Sequence, residues 1–219
     1  ALAEHSTNHA NTAIGHNSMY RSNTASYHNT FVGSTSGSGD WAASAHSNTG
    51  IGSEVLSGAM TAAAFNNVAV GRASLTALTA GTNNVAVGTE SGHDITTGNR
   101  SVFVGFQAGD KTNSSENVAV GCQSLGADAY NSVAIGYAAG TVAAGGRNVY
   151  IGSNSAVSAT SGTFNTLLGS NTDVDAATDS YQVKIGAYGI IKYKTARVTL
   201  DNSYTGTPAE HDAAHSNSL

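Results

Sequence analysis

One pentapeptide pattern recurs eleven times between residues 11 and 186. Each copy opens with Asn, Ser or Gln, carries Thr or Val second and Ile, Val or Leu fourth, and closes on glycine. The ten intervals between closing glycines cover 186 − 15 = 171 residues, a mean period of about 17. A fixed period of this kind predicts stacked structural repeats, which offer surface more readily than a deep catalytic cleft. The closing glycines are Gly15, Gly33, Gly52, Gly71, Gly88, Gly105, Gly121, Gly136, Gly152, Gly169 and Gly186.

Each pentapeptide reads as one short β-strand. In Asn67-Val68-Ala69-Val70-Gly71, Val68 and Val70 share one face because successive side chains alternate along a strand. The second and fourth positions suit a pleated, half-buried surface, since they are β-branched or aliphatic. We expect these two positions to stack from coil to coil into one continuous internal row. The fold class predicted is therefore an all-β parallel β-solenoid, resembling a β-roll, of about eleven coils.

Four further positions have an expected structural role. The closing glycine permits a positive φ and a sharp corner at the strand end. Asn opens eight of the eleven copies, and a stacked Asn row predicts amide hydrogen bonds along the solenoid axis. A small residue three positions after the glycine predicts close backbone approach, and the Leu or Gly that often follows predicts a second core row or another corner. The small residues are Ser18, Ser36, Ser74, Ser91, Ala108, Ser124, Ala139, Ser155, Thr172 and Gly189, with Val55 as the exception.

The middle position of the pentapeptide leads to a prediction about assembly. It is mostly apolar, and we expect it on the face opposite the internal row. A coil of about 17 residues encloses little volume, so a second face covered by another chain is expected. We predict a homotrimer, with three solenoids around one axis. The middle residues are Ala13, Phe31, Gly50, Ala69, Ala86, Phe103, Ala119, Ala134, Tyr150, Leu167 and Lys184.

Composition excludes several kinds of partner. Only 11% of the residues are charged, the formal charge is −5, and no basic patch occurs, so nucleic-acid binding is not expected. The one cysteine, Cys122, excludes an internal disulfide framework and is expected to be a small packed residue. No apolar run approaches the roughly 18 residues of a membrane span, so none is expected.

The repeats resemble those of a known family. The units NVAVG at 67–71, 84–88 and 117–121 and SVAIG at 132–136 are similar to the head repeats of YadA-like trimeric autotransporter adhesins. Similar units recur in bacteriophage tail-fibre and related virion-surface proteins. The resemblance covers about 175 residues and implies a trimeric parallel β-roll or β-solenoid. It says much less about what such a protein binds.

The sequence also departs from the adhesin heads. The coils are longer and vary between 15 and 19 residues, and neither a heptad stalk nor a membrane-barrel segment follows them, so we do not expect a complete autotransporter. We expect a structural virion-surface protein of a bacteriophage, a tail fibre or a capsid decoration that contacts other virion proteins and binds a receptor or host glycan. The alternative is the head of a bacterial cell-surface adhesin. A glycan-cleaving tailspike is a third, weaker alternative.

We expect residues 1–10 to form an N-terminal segment, residues 11–189 the repeat domain, and residues 190–219 a C-terminal cap and tail. The segment 187–200 reads as one or two closing strands, because a solenoid must cover its open end. A receptor-contacting tip is the alternative interpretation of that end.

No catalytic, cofactor or metal residue is predicted, and three sets of candidates are set aside. The histidine pairs His5/His9 and His211/His215 have i, i+4 spacing outside any helical pattern, and His16, His28 and His46 are read as solvated, although an axial histidine of a trimer could still collect a metal. Asp173, Asp175 and Asp179 form an incomplete calcium loop and are read as a solvated loop. The other acids are expected to lie singly on different coils, so no enzyme is predicted: Glu54, Glu90, Asp94, Asp110, Glu116 and Asp128.

Overall fold

A computed structural model describes residues 10–21, 26–41, 45–60 and 64–186 of the 219-residue chain. Within these residues the fold is all-β, as the repeats predict. Each strand is three residues long and lies at the centre of one pentapeptide, and we number the coils after their strands. The strands are β1 Thr12–Ile14, β2 Thr30–Val32, β3 Thr49–Ile51, β4 Val68–Val70, β5 Val85–Val87, β6 Val102–Val104, β7 Val118–Val120, β8 Val133–Ile135, β9 Val149–Ile151, β10 Thr166–Leu168 and β11 Val183–Ile185.

The eleven strands form one parallel sheet in sequence order. Pairing is in register throughout, so the same pentapeptide position recurs in every strand at the same place, as in Val85 opposite Val102 and Ala86 opposite Phe103. Each strand is therefore one rung of a parallel β-solenoid, and the residues of equal position form continuous columns from coil to coil. In the described residues no helix is long and apolar enough to cross a membrane.

The predicted orientation of the strands is wrong. The middle residue of the pentapeptide points into the coil and is fully buried from Phe31 to Leu167, whereas the second and fourth residues face outward and are half-buried or exposed. Ala69, for example, is buried, while Val68 on the same strand is 37% exposed. The opening Asn shares the inward face with the middle residue, because positions one and three of a strand point the same way.

The narrow interior explains why the middle position takes this side. Ala fills it in most central coils, and large rings occur where a glycine makes room. The ring of Phe31 packs against Gly50, where an added Cβ would lie 2.5 Å from the ring carbons. The ring of Phe103 packs against Gly109 in the same way. Close packing of this kind means that the chain fills its own interior without the Val and Ile columns.

The predicted Asn row is confirmed. Asn48 donates its Nδ2 to Asn29 Oδ1 at 3.2 Å and to the Ala64 carbonyl at 2.9 Å. Its Oδ1 accepts from the Asn67 backbone N–H and side-chain Nδ2, both at 3.0 Å. These Asn side chains are buried, so each amide satisfies backbone and side-chain groups of the adjacent coils that water cannot reach.

The corners follow the sequence pattern as well. All eleven closing glycines have positive φ, between 90° and 143°, and no other residue type adopts this region readily. The residue three positions after the glycine is buried in coils 1 to 10. It is small in every one of these coils except coil 3, where it is Val55. The next position is both a core row and a corner: Leu75 is buried with φ 50°, and Gly92 replaces it with φ 60°. The predicted cap at 190–219 and residues 1–9 lie outside the described residues.

Candidate interaction surface

The outward side of the sheet is the most distinctive surface of the molecule. We call the second and fourth residues of the eleven strands the outer face; it holds 2 × 11 = 22 residues. None of them is charged: four are Thr and the others are Val, Ile or Leu. Central members keep a substantial exposed fraction, for example 37% at Val104 and 38% at Ile135.

The outer face is also large. Ten spacings of about 4.8 Å give a height of roughly 48 Å, and five residues of strand give a width of about 16 Å. The resulting area of roughly 750 Å² exceeds the largest apolar patch of an ordinary monomer, which is about 300–600 Å². A patch of this size and composition makes the outer face a candidate interaction surface.

Two columns flank the outer face. The preceding column consists of the residue before each pentapeptide, and the following column consists of the residue after each closing glycine. In coils 6 to 8 the preceding column is a polar ladder: Arg100 Nε donates to Glu116 Oε1 at 3.0 Å, and Asn131 Nδ2 donates to Glu116 Oε2 at 2.7 Å. The hydrogen bond and charge of Arg100 lower the pKa of Glu116. Glu116 therefore stays ionised in neutral solution.

The following column is apolar in the same three coils. Phe106 is 46% exposed and Tyr137 is 54% exposed, with Cys122 between them. Cys122 is a free thiol of intermediate exposure, so it is less enclosed than the sequence analysis expects. This column continues the apolar surface around the glycine corner.

Aromatic stacks occupy the preceding side at the two ends of the described solenoid. His46 lies between the rings of Tyr27 and Phe65, with centroids 4.8 and 5.0 Å away. Near the other end the Arg147 guanidinium lies 5.2 Å from the ring centroid of Phe164. His46, set aside as solvated, is thus part of an aromatic stack.

One cluster was missed by the sequence analysis. Ligand atoms of His93, Asp94 and Asp110 lie within 4.8 Å of one another, although the acids are expected to be single. His93 Nδ1 lies 2.7 Å from Asp94 Oδ1, and partial burial, followed by the charge of Asp94, raises the pKa of Asp110. Asp110 also lines a cleft of ≈ 290 Å³ together with Lys111 and Gln123. Reading the sequence at its 17-residue period would have placed residues 93 and 94 beside residue 110.

The three carboxylates of the acidic loop at residues 173–179 accept hydrogen bonds from nearby groups. Asp173 accepts from the Ser158 backbone at 3.0 Å, Asp175 accepts from Lys184 Nζ at 2.6 Å, and Asp179 accepts from the Ala176 backbone at 2.7 Å. Lys184 is the charged middle residue of β11, and its hydrogen bond and charge lower the pKa of Asp175. The loop therefore forms an ion pair with β11 and backbone hydrogen bonds, and Gln182 Nε2 donates to both Asp175 and Asp179, at 3.2 and 2.8 Å.

These features define a parallel β-solenoid protein with an uncharged outer face. Comparison with protein-family models, with the curated proteins and with the solved structures gives no match.

Proposed function

We propose that the protein assembles as a homotrimer through its outer face. The observation that carries the proposal is the set of 22 uncharged outward residues, since the chain already fills its own interior without them. In a trimer this area of roughly 750 Å² is divided between two neighbours, about 375 Å² for each, which is less than the roughly 800 Å² per partner of a standard pairwise interface. The sequence-based argument for a trimer assigned the wrong columns to the contact, and the Val and Ile columns replace the middle residues in it.

Lysine substitutions on the outer face test this assembly. In the double variant Val102→Lys/Val118→Lys, adjacent ammonium groups enter the centre of the face, and burying them unpaired is costly. We expect a folded monomer with an unchanged circular dichroism spectrum. The matched control is Val142→Lys/Val157→Lys, which changes two valines of 41% and 42% exposure outside the outer face and leaves the trimer intact. If both variants stay trimeric, the outer face is not the contact.

We further propose that the trimer is a structural component of a bacteriophage surface, a tail fibre or a capsid decoration, that binds a receptor or glycan. Support comes from the repeat resemblance and from the shape: a stack of rigid coils presents loops of different length at fixed spacing. Three chains would present each loop three times, so weak contacts gain through effective concentration. The alternative is the head of a bacterial surface adhesin, which uses the same multivalency.

Localisation separates these two proposals. An antibody raised against the purified protein, followed by immunogold electron microscopy of the source culture, would label phage tails or capsids if the virion proposal is correct. Label on the bacterial envelope, with bare particles, would favour the adhesin and overturn the virion proposal. Label on tails rather than heads of particles distinguishes a fibre from a decoration.

A glycan-cleaving activity is favoured by one specific observation. Asp94 and Asp110 lie close together, and the raised pKa of Asp110 is suited to a proton donor in glycoside hydrolysis. Release of reducing ends from host-surface polysaccharide, lost in Asp110→Asn and retained in Asp128→Asn, would establish it. No release by the unmodified protein would remove this candidate.

A further inference from the structure

The two columns that flank the outer face differ in chemistry, and this difference bears on how the protomers of an assembly pack against each other. In coils 6 to 8 the preceding column is a ladder of planar polar groups, Arg100, Glu116 and Asn131. The following column in the same coils is the exposed series Phe106, Cys122 and Tyr137. The two series flank the same three strands on opposite sides.

Rotational symmetry determines how these columns meet. Three sheets that face one axis form a triangular core, and the preceding edge of each sheet lies against the following edge of the next. Rotation about an axis parallel to the stack shifts nothing along that axis. Since the strands pair in register, each coil meets the coil of the same number. Coil 7 lies near the middle of the eleven, where any tilt of the protomers displaces it least.

The chemistry of the two columns is complementary at this level. In coil 6 the Arg100 guanidinium would meet a Phe106 ring, a contact in which a flat cation lies on the face of an aromatic ring. In coil 8 the Asn131 amide would meet a Tyr137 ring, whose hydroxyl offers a hydrogen bond. Between them, Glu116 would lie opposite Cys122. An isolated protomer leaves both Phe106 and Tyr137 about half exposed.

We propose that each protomer of the trimer packs its preceding column against the following column of the next protomer at the same coil level, with Arg100, Glu116 and Asn131 facing Phe106, Cys122 and Tyr137. The inference rests on the trimer proposed above and adds its register and edge pairing. Its occupant is a second copy of this chain. Contacts of this kind fix the axial register, which a smooth Val and Ile face does not fix by itself.

The native cysteine makes the pairing testable. Glu116 and Cys122 are six residues apart and flank β7 on opposite sides, at most roughly 20 Å from each other, and the extended β7 between them holds them beyond the roughly 7 Å Cα limit of a disulfide, so a cysteine at position 116 cannot reach Cys122 of its own chain. Glu116→Cys should therefore form disulfides only between protomers. Mild oxidation is expected to convert most of the protein into a covalent trimer on a non-reducing gel, because three equivalent bonds close the ring.

Two control variants and a second cysteine pair show whether the crosslink is specific. Asn83→Cys changes another exposed residue of the preceding column, two coils and about 10 Å from the level of Cys122, and is expected to stay uncrosslinked. Glu116→Cys/Cys122→Ser removes the acceptor and should also stay uncrosslinked. A second pair, Asn131→Cys/Tyr137→Cys in a Cys122→Ser background, tests coil 8 without removing the Glu116 carboxylate.

Light scattering of each variant before oxidation separates the two proposals. Trimers that fail to crosslink at coil 7 and at coil 8 would overturn the edge pairing and leave the trimer standing. A monomeric unmodified protein would overturn the trimer itself. Covalent species that stop at dimers would show a two-fold assembly, and equal crosslinking through Asn83→Cys would show that the register is not fixed; each result contradicts the inference.

Discussion

The two faces of the same eleven strands follow different rules. The inner face varies widely in size, from Gly50 to Tyr150, and each large ring is matched by a glycine or alanine beside it. The outer face repeats nearly the same side chain in every strand and shows no such compensation within the chain. Variation with compensation is typical of a packed interior, whereas uniform β-branched columns suit a surface that meets another regular surface. The inner face therefore stabilises the coil, and the uniformity of the outer face supports the assembly proposed above.

The largest expected effect comes from emptying the inner face. Phe103→Ala removes a fully buried ring and should lower the free energy of unfolding by about 3–5 kcal/mol, as large-to-small core changes do. Thermal and urea unfolding would measure the loss. Phe164→Ala, which removes a ring that is 41% exposed, should cost about 1 kcal/mol. Equal losses would contradict the assignment of Phe103 to the packed interior.

A somewhat smaller loss is expected from the Asn row. Asn48→Ala leaves the Ala64 carbonyl and the Asn67 backbone N–H without their side-chain partners in a buried place. Two unsatisfied buried groups should cost about 2–4 kcal/mol. Asn66→Gly is the control, because the side chain of this exposed neighbour bonds only to Asn83 across the surface at 3.3 Å and glycine adopts its φ of 59° without strain, so a change within about 0.5 kcal/mol is expected. An Asn48 variant as stable as the control would show that the ladder contributes little.

The smallest effect at neutral pH should come from one inner hydroxyl. Burial raises the pKa of Tyr150 to about 12. The unfolded chain, with an ordinary tyrosine pKa of about 10, therefore loses this proton first, so the stability contribution present below pH 10 is lost as pH rises to about 12. Tyr150→Phe should unfold like the parent at pH 7 and lose less stability between pH 10 and 12. A parallel pH profile for both proteins would contradict buried ionisation.

Much of the fold could be predicted because the repeat fixes it. Strand positions, the glycine corners and the Asn ladder follow from residue types at a constant spacing, as Gly105 and Asn48 illustrate. The inside and outside of the strand could not be assigned so simply, because the alternation of Val102, Phe103 and Val104 shows which residues share a face without showing which face is enclosed. The size compensation between Phe103 and Gly109 was the available clue.

The local backbone conformation was harder to predict from the sequence. The residue before every pentapeptide has a positive φ of 51–64°, including Arg100, Arg147 and Phe164. Such residues disfavour this region intrinsically, so stacking of the coils and not local propensity imposes it. The cluster of His93 with Asp110 was not predicted for a related reason, since contacts between adjacent coils join residues about one period apart.

The mass of the unmodified protein in solution tests the central claim most directly. Size-exclusion chromatography with multi-angle light scattering should give 3 × 22.0 = 66 kDa, independent of dilution through the micromolar range. A stable species of 22 kDa would show that the Val and Ile columns remain in contact with water, and the assignment of the outer face to assembly would then be wrong.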